Sequence, residues 1–445
     1  MVSEPTEPAG ISSAVNEVVD LARELIRIDT SNTGDPLTSK AERPAAEYVA
    51  AKLSEVGYDV TYVESGAPGR GNVIARLEGA DPSRGALLVH SHLDVVPADA
   101  SEWTTHPLSG EIADGYLWGR GAIDMKDMVA MSLAVARQMK SANVVPARDL
   151  VFAFLADEEA GGFQGSRWLV ENRRDLFDGV TEAIGEVGGF SLTLEDDVRA
   201  YLIETAEKGI MWLRLRAEGT AGHASMLQPD NAVAKLAAAI TRLHNHSFPQ
   251  IITPPVRDFL DGVTAITGQA FPEDDLDQAL GRLGGIARII GATLRDTANV
   301  TIFNAGYKAN VVPSVATAEV DVRVLPGRQT QLEAELREIL GPEIHLDWRP
   351  GLAPIQTTFD GALVDRMTAA IQAEDPGAYT LPYMLSAGTD AKSFDQLGVR
   401  HFGFSPLKLP PDLDFTALFH GVDERVPVDA LLFGTRVLLR LLPDC

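Results

Sequence analysis

Residues 86–97 read Ala-Leu-Leu-Val-His-Ser-His-Leu-Asp-Val-Val-Pro, an apolar run that ends on two histidines and an aspartate. Four apolar residues in succession, with no polar alternation, predict a strand buried on both faces, as in a sheet covered by helices on each side. His92 and Asp94 lie two apart, so an extended backbone points both to one face. A carboxylate beside an imidazole fixes its tautomer and raises its basicity, the arrangement behind a metal-ligating histidine. Taken alone, such a pair is more often the capped end of an ordinary strand.

The flanking segments share this style. Val15, Val18, Leu21, Leu25 and Ile28 form a helical stripe from about Ala14, after a loose leader over 1–12. Pro44 suits the first turn of a second helix. Val60–Val63, Asn72–Leu77 and Leu150–Leu155 predict further strands, and Asp127–Met139 a helix. Strands alternating with helices predict an α/β class with a mixed, largely parallel sheet flanked by helices. Beyond Lys208-Gly209 the pattern changes. Ile210–Ala217, Asn299–Phe303 and Thr317–Val324 alternate apolar with polar, and Ala232–Leu243 is helical, which predicts a small inserted α+β unit covered on one face. A long stretch, Ser247–Asp296, interrupts it. The α/β style resumes with helices at Gln331–Leu340, Leu363–Ala373 and near Asp429–Leu442. The expected division is a discontinuous main domain, 1–209 with 328–445, and an inserted domain, 210–327.

The 445 residues are 45% hydrophobic and carry a net charge of −25, an ordinary globular composition that would repel a nucleic acid or an anionic membrane. The single cysteine, Cys445, excludes disulfides and thiolate metal sites, so any metal must be held by nitrogen and oxygen. No apolar run reaches the ~18–20 residues needed to cross a bilayer. The first residues lack the basic and apolar regions of a signal peptide, which makes a cytoplasmic location the expectation.

Four more segments carry chemistry-bearing residues at predicted turns: Gly119-Arg120-Gly121-Ala122-Ile123-Asp124, Asp157-Glu158-Glu159-Ala160-Gly161-Gly162, Gly185-Glu186-Val187-Gly188-Gly189 and His420-Gly421-Val422-Asp423-Glu424. Three adjacent carboxylates repel one another unless a cation or water offsets them. Neighbours point in different directions, so of Glu158 and Glu159 one could bind metal while the other faces a substrate. Two histidines and three carboxylates, with a glutamate to spare, suit a two-metal hydrolytic site in which one carboxylate bridges.

These segments, with W-x-x-H-P-L-S-G (103–110), GTAGHAS (219–225), NVVP (310–313), DVRVLPG (321–327) and AGTDA (387–391), resemble in order the zinc-dependent family of aminoacylase, succinyl-diaminopimelate desuccinylase, carboxypeptidase G and carboxypeptidase S. The resemblance implies two zinc ions (Co2+ or Mn2+ being able to replace them). Asp124 would bridge them, with His92 and Glu186 on one ion and Glu159 and His420 on the other. It implies Asp94 as the group that orients His92 and Glu158 as the general base. The inserted domain is implied to be a lid and homodimer interface, with His223 reaching into the partner's site. Asn310 and Arg323 would bind the substrate's carbonyl and carboxylate, and Gly388 would lie in the loop that receives the carboxylate. The substrate would be an N-acyl amino acid or small peptide with a free carboxylate. The alternatives are a dipeptidase, a biosynthetic deacylase, or an inactive metal-binding relative. His90, His106 and Trp118 are expected to be structural or rim residues, and His244 and His246 to end an exposed helix turn.

Overall fold

The computed structural model describes residues 11–194, 198–273, 276–281 and 286–445. The expected leader lies outside them up to residue 10, and the first helix, Ile11–Arg27, begins earlier than its stripe suggested. The main body is an α/β layer built on a ten-stranded mixed sheet. From one edge the strands run Val60–Glu64, Gly71–Leu77, Leu150–Leu155, Ala86–His92, Val180–Gly185, Arg400–Gly403, Arg199–Glu207 and Ile355–Gln356, with Phe190–Thr193 and Tyr379–Leu385 also paired to Arg199–Glu207. Ala86–His92 is parallel to both neighbours, and all seven of its residues are buried. Its side chains divide by the period of two. Leu87 and Val89 enter a core with the helices Ile11–Arg27, Lys126–Ser141 and Val428–Leu441, while Leu88 enters a second core on the other face.

A smaller antiparallel sheet has the order Thr297–Ala305, Val315–Val324, Gly209–Glu218, Ile344–Trp348. One face is covered by the helices Ala232–Asn245 and Gln329–Leu340, through Leu236, Ala239, Leu243, Leu332, Leu336 and Leu340. The small sheet therefore takes in a helix and a strand beyond the expected end at 327. The stripe in Gln329–Leu340 reports one apolar face and is silent about which core that face meets. The reverse holds for the long interruption at 247–296. Its helix Pro254–Thr267 buries Val256, Phe259, Leu260 and Val263 in the main-body core, against Tyr379–Leu385. Gly262 permits the close approach, since a Cβ there would lie 2.4 Å from Leu381 Cδ2. Among the described residues, no helix is long and apolar enough to cross a membrane.

Candidate metal centre

The ends of the central strands and the loops that follow them build one cluster. His92 ends the strand Ala86–His92, and Glu186 follows Val180–Gly185 directly. Glu158 and Glu159 lie in a single 3₁₀ turn after Leu150–Leu155, and Asp124 precedes the helix Lys126–Ser141. Asp124 stands between two groups. Its Oδ1 is 3.2 Å from His92 Nε2, which is 3.4 Å from Glu186 Oε2. Its Oδ2 is 3.2 Å from His420 Nε2, which is 3.2 Å from Glu159 Oε2. In each triad, ligand-capable atoms lie within 4.8 Å of one another, and Asp124 belongs to both. Glu158 Oε2 is 3.9 Å from His92 Nε2 and joins neither triad.

Burial and close neighbours shift the titration of these groups. Burial pushes the Glu186 carboxyl up to about 8 against the pull of His92. Burial also raises Glu159 and, together with nearby Glu186, holds Glu158 well above the carboxylate range. His420 is pushed up to about 10 by hydrogen bonds to Asp124 and Glu159. Burial opposes charge on His92, but Glu186 and Asp124 prevail and raise it. Burial likewise opposes charge on Asp124, and the two histidines outweigh it and lower the carboxyl. Glu159 Oε1 and Glu186 Oε1 are buried without a hydrogen-bond partner. Orphaned carboxylate oxygens beside imidazole, with no thiolate, fit a pair of divalent ions of the borderline class.

The candidate ligands are held by a surrounding frame. The His92 Nδ1–H donates to the Asp94 backbone carbonyl at 2.9 Å, whereas the Asp94 carboxylate lies 3.6 Å away. That carboxylate accepts instead from the backbone N–H groups of Glu158 and Glu159, each at 3.1 Å, and from Asn32 Nδ2 at 2.9 Å. It thus holds the glutamate turn as well as bordering the histidine. Glu424, wholly buried, accepts from the Ile123 and Asp124 backbone N–H groups at 2.9 and 3.3 Å and from Arg120 at 2.6 Å. Asn32 and Glu424 drew no role from the sequence. The position of Glu424, four residues after His420, was the one available signal. Val187 and His420 hold φ of 55° and 56°, the left-handed region that a β-branched residue such as Val187 seldom adopts.

Above the triads lies a cavity of about 520 Å³, walled by Ile210, Trp212, Leu352, Leu385 and Phe419 and bordered by Arg323 and Gly388. The Arg323 guanidinium forks onto Asp321 at 2.6 and 3.1 Å. His223 and Asn310 do not line this cavity. Both are exposed, at the ribbon in which Gly222–His223 pairs with Val311–Val312. His90 is buried, with Nε2 2.8 Å from His401 Nε2. A third triad of possible ligands, Glu204, Glu207 and His401, already holds a cation, since the Lys392 ammonium is 2.9 Å from Glu207.

Residues 88–444 match the family described as Peptidase family M20/M25/M40. The chain is 29% identical to "Probable carboxypeptidase S-like 2" of Dictyostelium discoideum over 381 residues, 80% of this chain and 71% of that protein. It is 27% identical to "Aminoacylase-1" of Sus scrofa over 416 residues, 89% of each chain. Among solved structures, an M20 family metallo-carboxypeptidase from Sulfolobus solfataricus aligns with a TM-score of 0.71 at 19% identity, over 96% of this chain and 99% of that one.

Proposed function

Because the chain belongs to the peptidase M20/M25/M40 family and is thereby a hydrolase of peptide or amide bonds, we propose that it cleaves the amide of an N-acyl amino acid or small peptide bearing a free carboxylate, with two zinc ions. The observation that carries this is the single carboxylate of Asp124 shared by two ligand triads, with Glu158 beside them and in neither. His92 and Glu186 would hold one ion and Glu159 and His420 the other. Bound there, the ions would supply Lewis acidity to the scissile carbonyl and lower the pKa of water.

The rest falls to the chain's own side chains. Glu158, held high by burial and by Glu186, takes a proton from the attacking water at its carboxylate and passes it to the leaving amine nitrogen. Asp94 fixes the turn that aims Glu158. Arg323 receives the substrate carboxylate on its planar fork, in place of Asp321, beside the Gly388 loop. The apolar wall of Trp212, Leu352, Leu385 and Phe419 suits an apolar acyl group or side chain. His223 and Asn310, outside this cavity, would reach a site only as the partner's residues in a homodimer formed through the inserted unit.

The test is metal analysis together with hydrolysis of N-acetyl amino acids and dipeptides. The expected result is about two zinc per chain, chelator-sensitive cleavage, and a Glu158→Ala variant that retains metal while losing about 10²–10⁴ in turnover. Metal binding without hydrolysis of any member of the panel would favour an inactive metal-binding relative. Loss of metal in Glu158→Ala would reverse the roles of Glu158 and Glu159.

A further inference from the structure

Besides the excursion of residues 249–296 onto the main body, two crossings of the chain pass directly between the small sheet and the large one. The outbound crossing runs from Arg199–Glu207 through Lys208 into Gly209–Glu218, and the return lies between Ile344–Trp348 and Ile355–Gln356. Ile210 and Leu352 bridge the crossings through a pair of backbone hydrogen bonds of 2.8 Å each, and both residues wall the cavity. Lys392, only 4% exposed, reaches the point where the crossings meet. Its ammonium donates to Lys208 O on the outbound crossing at 2.8 Å and to Ala353 O on the return at 3.3 Å, and it lies 2.9 Å from Glu207 Oε2. An ammonium has three donors, and each has a partner here.

The same pair grips the cavity loop. The buried Glu207 carboxylate accepts from the Thr389 backbone N–H at 3.1 Å and from the Thr389 hydroxyl. Gly388 packs onto the joint so closely that a Cβ would lie 2.6 Å from Lys392 Cε and 2.9 Å from Ile210 Cδ1. Ile210 is in turn the register partner of Arg323 across the small sheet. Thus one buried ion pair contacts both crossings and the loop at Gly388–Asp390, and Arg323 stands one strand away. A buried pair is weak evidence for stability as such, since desolvation offsets much of its attraction. A role in fixing one geometry accounts better for its placement.

We propose that Lys392, paired with Glu207, is a positioning residue that locks both crossings and the Gly388–Asp390 loop into one joint and thereby sets where Arg323 faces the metal ligands. The inference rests on the reading that the substrate carboxylate binds at Arg323 and Gly388. Lys392→Met alone would strand an unpaired carboxylate in the interior, so the test uses Lys392→Met/Glu207→Gln, which removes both charges together. It is made in a metal-loaded chain in which Cys445→Ser removes the native thiol and Ser54→Cys on the main body and Glu338→Cys on the small unit supply two new ones. Spin-label distances between the two cysteines need no substrate, and the distribution is expected to broaden relative to the parent. In steady-state kinetics, KM for an N-acyl amino acid should rise about tenfold with kcat held within about threefold, while KM for the matching carboxamide stays unchanged. An unaltered distance distribution in the folded double variant overturns the joint. A broadened distribution with an unaltered KM overturns the positioning role. Failure of the parent to hydrolyse the panel is a separate result that removes the functional reading, and the distance measurement still decides the joint.

Discussion

In the large sheet every residue of Ala86–His92 is buried, whereas in the small sheet Val315–Val324 alternates between half-buried and buried positions along its length. The large-sheet strand is gripped from both sides, so the histidine at its end starts from a backbone with little freedom. Preorganisation of this kind is what a metal site requires. The small sheet is covered on only one face, and its outer positions carry polar groups, Arg323 and Asp321 among them. Under the proposed function the doubly covered layer would supply the metal ligands, and the one-faced layer would supply residues that meet a substrate. The two layers are therefore expected to respond differently to substitution.

The largest expected effect breaks the rigid layer at its shared ligand. Asp124→Ala should remove both ions, with metal content after dialysis falling towards none and turnover dropping by about 10⁴-fold or more. A variant that kept one ion at full occupancy would show that the triads are independent. Next, Glu424→Ala leaves the Arg120 guanidinium buried without its carboxylate, which should cost about 3–5 kcal/mol in denaturant unfolding. The one-faced layer should yield a smaller and more selective effect. Arg323→Ala is expected to raise KM for a free-carboxylate substrate by an amount equivalent to about 1.5–3 kcal/mol, with metal content unchanged. An equal change for the carboxamide would remove Arg323 from carboxylate recognition.

The mildest test is pH. Glu186, raised from 4.5 to about 8, and His420, raised from 6.5 to about 10, both have folded pKa values above their ordinary ones. Each stabilises the metal-free fold fully below its ordinary pKa and loses that contribution as pH rises through its folded value. The melting temperature of chelated protein should therefore fall between pH 5 and about 8, where the Glu186 contribution is lost. Metal needs the deprotonated ligands, so the gap between metal-loaded and chelated protein should widen over the same interval. A gap that narrows with pH would place the ligands elsewhere.

What the sequence disclosed follows the same contrast. The strands Leu150–Leu155 and Ala86–His92 were legible because the first is apolar throughout and the second opens on four apolar residues, Ala86–Val89. Arg199–Glu207 was not, although it pairs with more strands than any other in the large sheet. It carries Glu204 within it and Glu207 at its end, both buried, and charged residues break the pattern that marks a buried strand. Their burial becomes acceptable only once Lys392, Thr389 and the Gly403 N–H arrive from distant segments. Gln329–Leu340 was legible as a helix while its sheet was not, because a stripe specifies a face and leaves its partner open.

By itself the chain determined the donor chemistry: imidazole and carboxylate without thiolate, placed at the ends of strands whose spacing fixes which side chains share a face. Tertiary structure decided that Asp124 stands between two triads, that Asp94 holds the glutamate turn, and that one lysine meets both crossings. Side-chain direction along a strand is a local property of backbone geometry. Convergence of strand ends depends on sheet order, which is settled only when the whole chain buries its apolar faces together.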